Sequence, residues 1–246
     1  HKAMKQGYFT VTENSLIAKN TYLMSLMGDT SALTAPGQFI NIKLDGFYLR
    51  RPISVCDMDS SCVKIIYKAV GKGTEYMSSL DTGTVLDVLT GLGNGYDLTA
   101  CGKSPVLIGG GAGVPPMYML AKKLLNAGKD VSVILGFNSK DEVFFEDEFK
   151  KLGAKVYITT ADGSLGIKGF VTDALKDLSY SYFYACGPEP MLKAVYNASV
   201  SEGELSFEER MGCGFGACMG CSCKTKYGYK RICKDGPVLK KEEIVW

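Results

Sequence analysis

Five cysteines between positions 213 and 233 constrain this chain more than any other feature. Cys213, Cys218, Cys221 and Cys233 read C-x4-C-x2-C-x11-C, the plant-type spacing for four thiolates around a [2Fe-2S] cluster. Gly212, Gly214, Gly216 and Gly220 let the loop curl tightly and bring backbone N–H groups toward the sulfurs. A structural zinc site also uses four thiolates, but usually as two C-x2-C pairs, whereas here three cysteines crowd one loop and the fourth stands apart. Disulfides are disfavoured because no secretory or membrane-spanning run is evident. Cys223 offers a second candidate beside Cys221, and the spacing favours Cys221.

With 246 residues the chain can bury two ordinary cores and a small appendage. Its 28 basic and 26 acidic residues leave a net charge of +2, too little for a polyanion-binding stripe, so nucleic acid is not expected as a partner. His1-Lys2-Ala3 before Met4 reads as a tag remnant. Nine cysteines without a secretory segment imply metal binding or reducing conditions, both pointing to the cytoplasm and away from membrane insertion.

Residues 4–100 contain short β-prone runs separated by Gly, Pro, Asp and Ser: Gly7 to Glu13, Thr21 to Met27, Phe39 to Leu44, Tyr48 to Cys56, Cys62 to Val70 and Thr84 to Leu89. This spacing predicts an antiparallel β-barrel or sandwich. Within it, Arg50-Arg51-Pro52-Ile53-Ser54-Val55 places two arginines before an extended proline, and side chains alternate along a strand. One arginine can fork onto a diphosphate while Ser54 approaches a flavin edge; the plain alternative is a basic surface strand. Gly71-Lys-Gly73-Thr74 supplies a tight turn and a helix start, a second phosphate-binding feature. Lys68, just upstream, belongs with these cofactor-binding candidates. Gly91 to Gly95 is either a third close backbone approach or a linker turn.

Residues 101–205 alternate strand and helix as a parallel α/β nucleotide-binding domain does. Ser104 to Ile108, then Gly109, Gly110, Gly111 and Gly113, then Pro115 onward read as strand, glycine turn and helix. The third glycine of the strict dinucleotide fingerprint is replaced by Pro116, which argues against a standard Rossmann dehydrogenase. Further elements are expected as strand Asp130 to Leu135, helix Glu142 to Leu152, strand Lys155 to Thr159, helix Phe170 to Leu178, strand Tyr182 to Ala185 and helix Glu189 to Ser199. Cys186 and Gly187, at a strand end, are candidates to touch a nicotinamide, with Cys186 as a buried small residue the plainer reading. The acidic residues following Asn138 favour NADH over NADPH, or simply mark a solvated face.

Residues 206–246 are too few for a self-sufficient core, so a metal must supply part of their folding energy. Glu208 is a candidate flavin neighbour, against a capping or surface role. A nicotinamide delivers electrons in pairs and an iron–sulfur centre passes them singly, so FAD is the expected intermediary between NAD and a [2Fe-2S] cluster. No side-chain nucleophile or general base is required, and no catalytic residue is assigned.

On these motifs the chain resembles the ferredoxin-reductase superfamily, and within it the iron–sulfur electron-transfer subunits of class 1B dihydroorotate dehydrogenases, over nearly all of residues 5–246. The resemblance implies that Arg51 meets the FAD diphosphate, that Ser54 approaches the flavin ring, and that Gly71-Lys-Gly-Thr forms a second diphosphate loop. It implies that Gly109-Gly-Gly-Ala-Gly-Val-Pro-Pro and Ala185-Cys-Gly-Pro serve the nicotinamide nucleotide. Cys213, Cys218, Cys221 and Cys233 would be the ligands, with Cys223 a neighbour. A related family coupling NADH and NADPH to ferredoxin usually has aspartate where Cys213 stands. The implied partner is an FMN-containing catalytic subunit oxidising dihydroorotate to orotate, two copies of each chain forming the assembly. The competing readings are a diaphorase subunit serving ferredoxin, a hydrogenase or a sulfur reductase, and a zinc-binding adaptor.

Overall fold

The computed structural model describes residues 4–246; the tag remnant expected at 1–3 lies outside the described residues. Alternating apolar residues on short strands close a six-stranded antiparallel barrel from β1 (Lys5–Ala18), β2 (Thr21–Met27), β3 (Phe39–Ile42), β4 (Arg51–Met58), β5 (Cys62–Lys68) and β6 (Val85–Leu92), in the order β1-β2-β5-β4-β3-β6. Inward residues such as Phe9, Met24, Ile40, Ile42 and Val88 fill it. A short helix, α1 (Lys72–Ser78), links β5 to β6. The expected strand from Tyr48 starts only at Arg51, because Arg50 turns aside to pair with Asp87.

The second unit follows with β7 (Pro105–Gly110), α2 (Pro115–Asn126), β8 (Ser132–Phe137), α3 (Glu146–Leu152), β9 (Lys155–Thr160), β10 (Ile167–Lys168), α4 (Val171–Leu175), β11 (Tyr182–Cys186), α5 (Glu189–Ala198) and β12 (Gly203–Ser206). These strands are parallel neighbours in the order β10-β9-β8-β7-β11-β12. The helix expected from Glu142 begins at Glu146 instead. Phe145 adopts a left-handed backbone at φ 67° and packs with Val143 and Phe144 into the core, which interrupts any helix through that point.

The last residues form a hairpin, β13 (Ser222–Thr225) with β14 (Gly228–Arg231), and then β15 (Val238–Lys240). β15 pairs antiparallel with β12, Leu205 facing Leu239, and so adds an edge strand to the parallel sheet. One hydrophobic cluster joins Phe39 and Leu92 of the barrel, Ile108 and Phe183 of the sheet, and Cys221, Ile232 and Cys233 of the arm. The arm therefore borrows a core, as its length requires. Ion pairs Lys122–Asp57 at 3.0 Å and Lys68–Glu142 at 3.1 Å also tie the barrel to the α/β unit. No helix among the described residues is long and apolar enough to cross a membrane.

Candidate functional site

The two arginines of the barrel motif are separated by their partners. Arg50 forks onto both carboxylate oxygens of Asp87 at 3.0 Å and also reaches the Asp87 backbone carbonyl. Burial works against the Asp87 carboxylate, but the Arg50 fork and the Gln6 amide outweigh it and hold its pKa below the usual range. Arg51 has no carboxylate partner among the described residues. Its guanidinium stacks 5.0 Å from the Phe47 ring centroid and lies directly over Gly73, where any Cβ would strike it. The strand motif and the glycine turn thus meet at a single cation. Thr74 caps its own turn, its hydroxyl accepting from the Val70 and Gly71 N–H groups at 3.1 and 3.2 Å. Lys68 is engaged by Glu142, which also accepts from the Asn138 amide. Across β3 and β4, Phe39 faces Ser54, Ile40 faces Ile53, and Asn41 faces Pro52.

At the carboxyl ends of the parallel strands lies a cavity of about 610 Å³ bordered by Gly110, Gly111, Asn138, Thr159, Pro188 and Met191. This is where open parallel sheets hold ligands. The glycines around it are dictated by contact: a Cβ on Gly113 would strike the Cys186 carbonyl and stand 2.6 Å from the Gly187 nitrogen. A Cβ on Gly109 would stand 2.8 Å from the Val114 Cα, and one on Gly110 would strike the Met191 sulfur. Gly111 has φ 52° and open space where a side chain would go. Pro115 and Pro116 both occupy the first turn of α2, where a missing N–H costs little. Cys186 is fully buried and burial pushes its thiol pKa up, with the Glu208 charge adding to the effect. Glu208 retains solvent exposure, yet the protein around its carboxyl raises its pKa.

Around the cluster loop, backbone N–H groups point at sulfur. Ala217 and Cys218 donate to Cys213 Sγ at 3.2 and 3.4 Å, Cys213 donates to Cys218 Sγ at 3.5 Å, and Cys233 donates to Cys221 Sγ at 3.3 Å. Burial alone would raise the Cys213 thiol, but donors from Cys218, Phe215 and Ala217 bring it down to about 6. Met219 carries φ 60°, an uncommon backbone for its residue type, beside these sulfurs. These N–H donors link the cysteines in two pairs, Cys213 with Cys218 and Cys221 with Cys233. No three metal-binding side chains among the described residues gather as a single-ion site. Two thiol pairs suit a two-iron group with two thiolates on each iron better than one tetrahedral zinc. Cys223 lies on β13, opposite Lys230.

A family model described as the iron-sulfur cluster binding domain of dihydroorotate dehydrogenase B matches residues 208–245, and one for an oxidoreductase NAD-binding domain matches residues 107–197. The dihydroorotate dehydrogenase B (NAD(+)) electron transfer subunit of Fusobacterium nucleatum is 48% identical, covering 98% of this chain and 99% of its own. This chain belongs to the dihydroorotate dehydrogenase B electron-transfer subunit family. A second relative of that description, from a Geobacillus species, is 45% identical with 98% and 99% coverage. A solved NADH-dependent reduced ferredoxin–NADP oxidoreductase, described in terms of flavin-based electron bifurcation, superposes with a TM-score of 0.88 at 30% identity, covering 97% of this chain and 90% of the other. A cytochrome P450 reductase from Amycolatopsis, at 21% identity and TM-score 0.70 over 79% of this chain and 65% of its own, shares the fold. The chain is thus an NAD-dependent flavin oxidoreductase subunit, with FAD, a [2Fe-2S] cluster and NAD as its cofactors. As an electron-transfer subunit it works with a catalytic partner subunit.

Two residues of this region, Asn41 and Thr159, escaped the sequence reading, and one expected loop proves to have a further role. The Gly91 to Gly95 loop is a joint to the arm: Asn94 donates to the Val238 carbonyl at 2.8 Å and accepts from its N–H at 3.0 Å, and a Cβ on Gly93 would stand 2.8 Å from the Pro237 Cδ. Asn41, buried on β3, touches the cluster loop. Thr159, also buried, borders the cavity at the strand ends with an unpartnered hydroxyl. The one available signal for Asn41 was a polar residue inside the apolar run Phe39-Ile-Asn-Ile42.

Proposed function

We propose that this subunit carries electrons between NAD and an FMN-containing subunit that oxidises dihydroorotate, in an assembly with two copies of each chain. The observation that supports this reading is the likeness over nearly the full length to dihydroorotate dehydrogenase B electron transfer subunits, and the contact between the barrel strand Phe39–Ile42 and the loop of Cys213 is in keeping with it. Arg51, backed by Pro52 and Ile53 and facing Gly73, would hold the FAD diphosphate with its guanidinium, which makes no carboxylate pair among the described residues. Ser54 would approach the flavin ring. Gly71 and Thr74 would keep the turn closed under the phosphates, and Lys68 with Glu142 would brace the adjoining wall. Gly109, Gly110, Gly111 and Gly113 would present backbone to the nicotinamide nucleotide, with Cys186, Gly187 and Glu208 beyond. Cys213, Cys218, Cys221 and Cys233 would ligate the iron. FAD, when bound, takes hydride as an electron pair and gives electrons up singly. The protein's part is to bind, orient and exclude water, so no general base is needed.

All nine cysteines are unpaired, which suits the reducing cytoplasm. The likeness to the ferredoxin–NADP oxidoreductase favours one second reading, a diaphorase serving ferredoxin or a similar acceptor. Both readings predict a flavin spectrum and a rhombic reduced [2Fe-2S] signal in anaerobically purified protein, whereas stoichiometric zinc without either would indicate an adaptor. Co-purification decides between the two. An FMN-bearing, dihydroorotate-oxidising partner is expected, and a stable complex with some other redox protein alone would overturn the first reading.

A further inference from the structure

Among the described residues, two buried side-chain polar atoms lack a hydrogen-bond partner: Asn41 Oδ1 and Thr159 Oγ1. Such atoms are uncommon in folded proteins because each forfeits its hydrogen bonds to water with nothing in return. Thr159 borders the nucleotide cavity already described. Asn41 sits elsewhere, 1% exposed, in the middle of β3.

Its direction follows from the strand. Ile40 and Ile42 point into the barrel core, so by alternation Phe39 and Asn41 point outward, and Phe39 indeed packs with Cys221 and Cys233 of the arm. Directly paired residues share a face, so Ser54 opposite Phe39 and Pro52 opposite Asn41 lie on that same outer side. There the Asn41 amide donates to the Cys213 carbonyl in a long, 3.5 Å contact. The reversed amide would set two oxygens against each other, which fixes the assignment. The loop is shaped to accept this side chain. Gly214 follows Cys213 with φ 78°, and a Cβ there would strike the Asn41 nitrogen. Arg50 meanwhile reaches the Asn41 backbone carbonyl at 3.4 Å, tying the same residue to the flavin motif.

We propose that Asn41 is a positioning residue that sets the cluster against the flavin, its amide seating Cys213 on the face that carries Ser54. The inference rests on the cofactor assignment above. A leucine of similar size would carry no orphaned oxygen, so the amide stands there at a cost in stability. Its function is geometric: it fixes where the first ligand lies relative to the flavin face.

The test uses the full chain with its cofactors. In the loaded protein, hydride from NADH would reduce FAD by two electrons, and the oxidised cluster would accept one of them. Rapid mixing with NADH, followed by flavin absorbance and freeze-quench EPR, separates the two events. For Asn41→Leu the expected result is hydride transfer within twofold of wild type, electron passage to the cluster slowed at least tenfold, and an altered EPR signal. Thermal stability should be equal or higher. Lower stability or reduced iron content with unchanged EPR and unchanged transfer per cluster would overturn the proposal and make Asn41 an ordinary packing residue. If Asn41→Leu does not fold, Asn41→Ala decides on the same EPR and transfer readouts, with lower stability expected from its cavity. Wild-type protein lacking flavin or the rhombic signal would instead sink the cofactor reading itself.

Discussion

The nucleotide cavity and the cluster loop are both glycine-rich and both built to surround something, yet they are held in opposite ways. Around the cavity the glycines permit backbone to touch backbone, as where Gly113 lies against Cys186 and Gly187. Strands with residues such as Val106, Leu107 and Phe183 at 0% exposure support that contact from below. The cluster loop is more open: Cys221 reaches the core but Cys218 is exposed, and the rest of the loop is tied mainly by N–H donors to sulfur, by Asn41, and by Arg231, which donates to the Gly216 carbonyl at 2.8 Å. One site is shaped by packing before a ligand arrives. The other depends on its ligand for cohesion.

The largest effect should come from removing the metal. Chelation, or Cys218→Ser, is expected to abolish electron passage to the partner and to expose residues 211–222 to hydrogen exchange, while NADH still reduces retained FAD. If the loop stayed protected without iron, the contrast between the two sites would fail. Next, Gly113→Ala should lower NADH affinity on the order of a hundred-fold by displacing the turn against the Cys186 carbonyl, with about 1–3 kcal/mol lost in denaturant melts. Near-normal NADH titrations would show that the cavity is softer than its contacts suggest.

Arg50→Ala should cost about 2 kcal/mol by stranding the Asp87 carboxylate. Because the folded Asp87 pKa is depressed, its stabilisation is fully present above the unfolded value of about 3.9 and is lost as pH falls through the folded value. Wild type and variant should therefore converge in acid melts, and a gap that persists below that range would point to packing. The smallest effect belongs to Thr159→Val. Removing an orphaned hydroxyl should leave the free protein equally or more stable while weakening nucleotide binding only several-fold, about 1 kcal/mol. Calorimetry showing unchanged affinity would remove Thr159 from the cavity's working wall.

Much of this organisation is legible in the sequence because it is local. Period-two apolar runs announce the barrel, Gly109 to Pro116 announces the turn and helix of the α/β unit, and the cysteine spacing announces the metal arm. What escaped was set by contacts between distant segments. Nothing near Gly93 reveals that it must clear Pro237, and nothing near Arg50 shows that Asp87 claims it and leaves Arg51 over Gly73. Phe145 reads as a helix residue until its burial in a left-handed conformation is seen. Glu208 and Cys186 lie far apart in sequence, yet the charge of one raises the pKa of the other.

The edge strand Val238–Lys240 bears on how the molecule handles motion. The chain leaves the sheet at β12 and rejoins it one strand away at β15, so the metal-bearing excursion is anchored at both feet on the scaffold that carries the nucleotide cavity. An appendage hung from one end would swing like a flag, and its distance from that scaffold would vary with every fluctuation. A handle fixed at two adjacent points can flex but cannot swing away, and because electron passage falls steeply with separation, this fixing of the ends protects the rate against thermal motion.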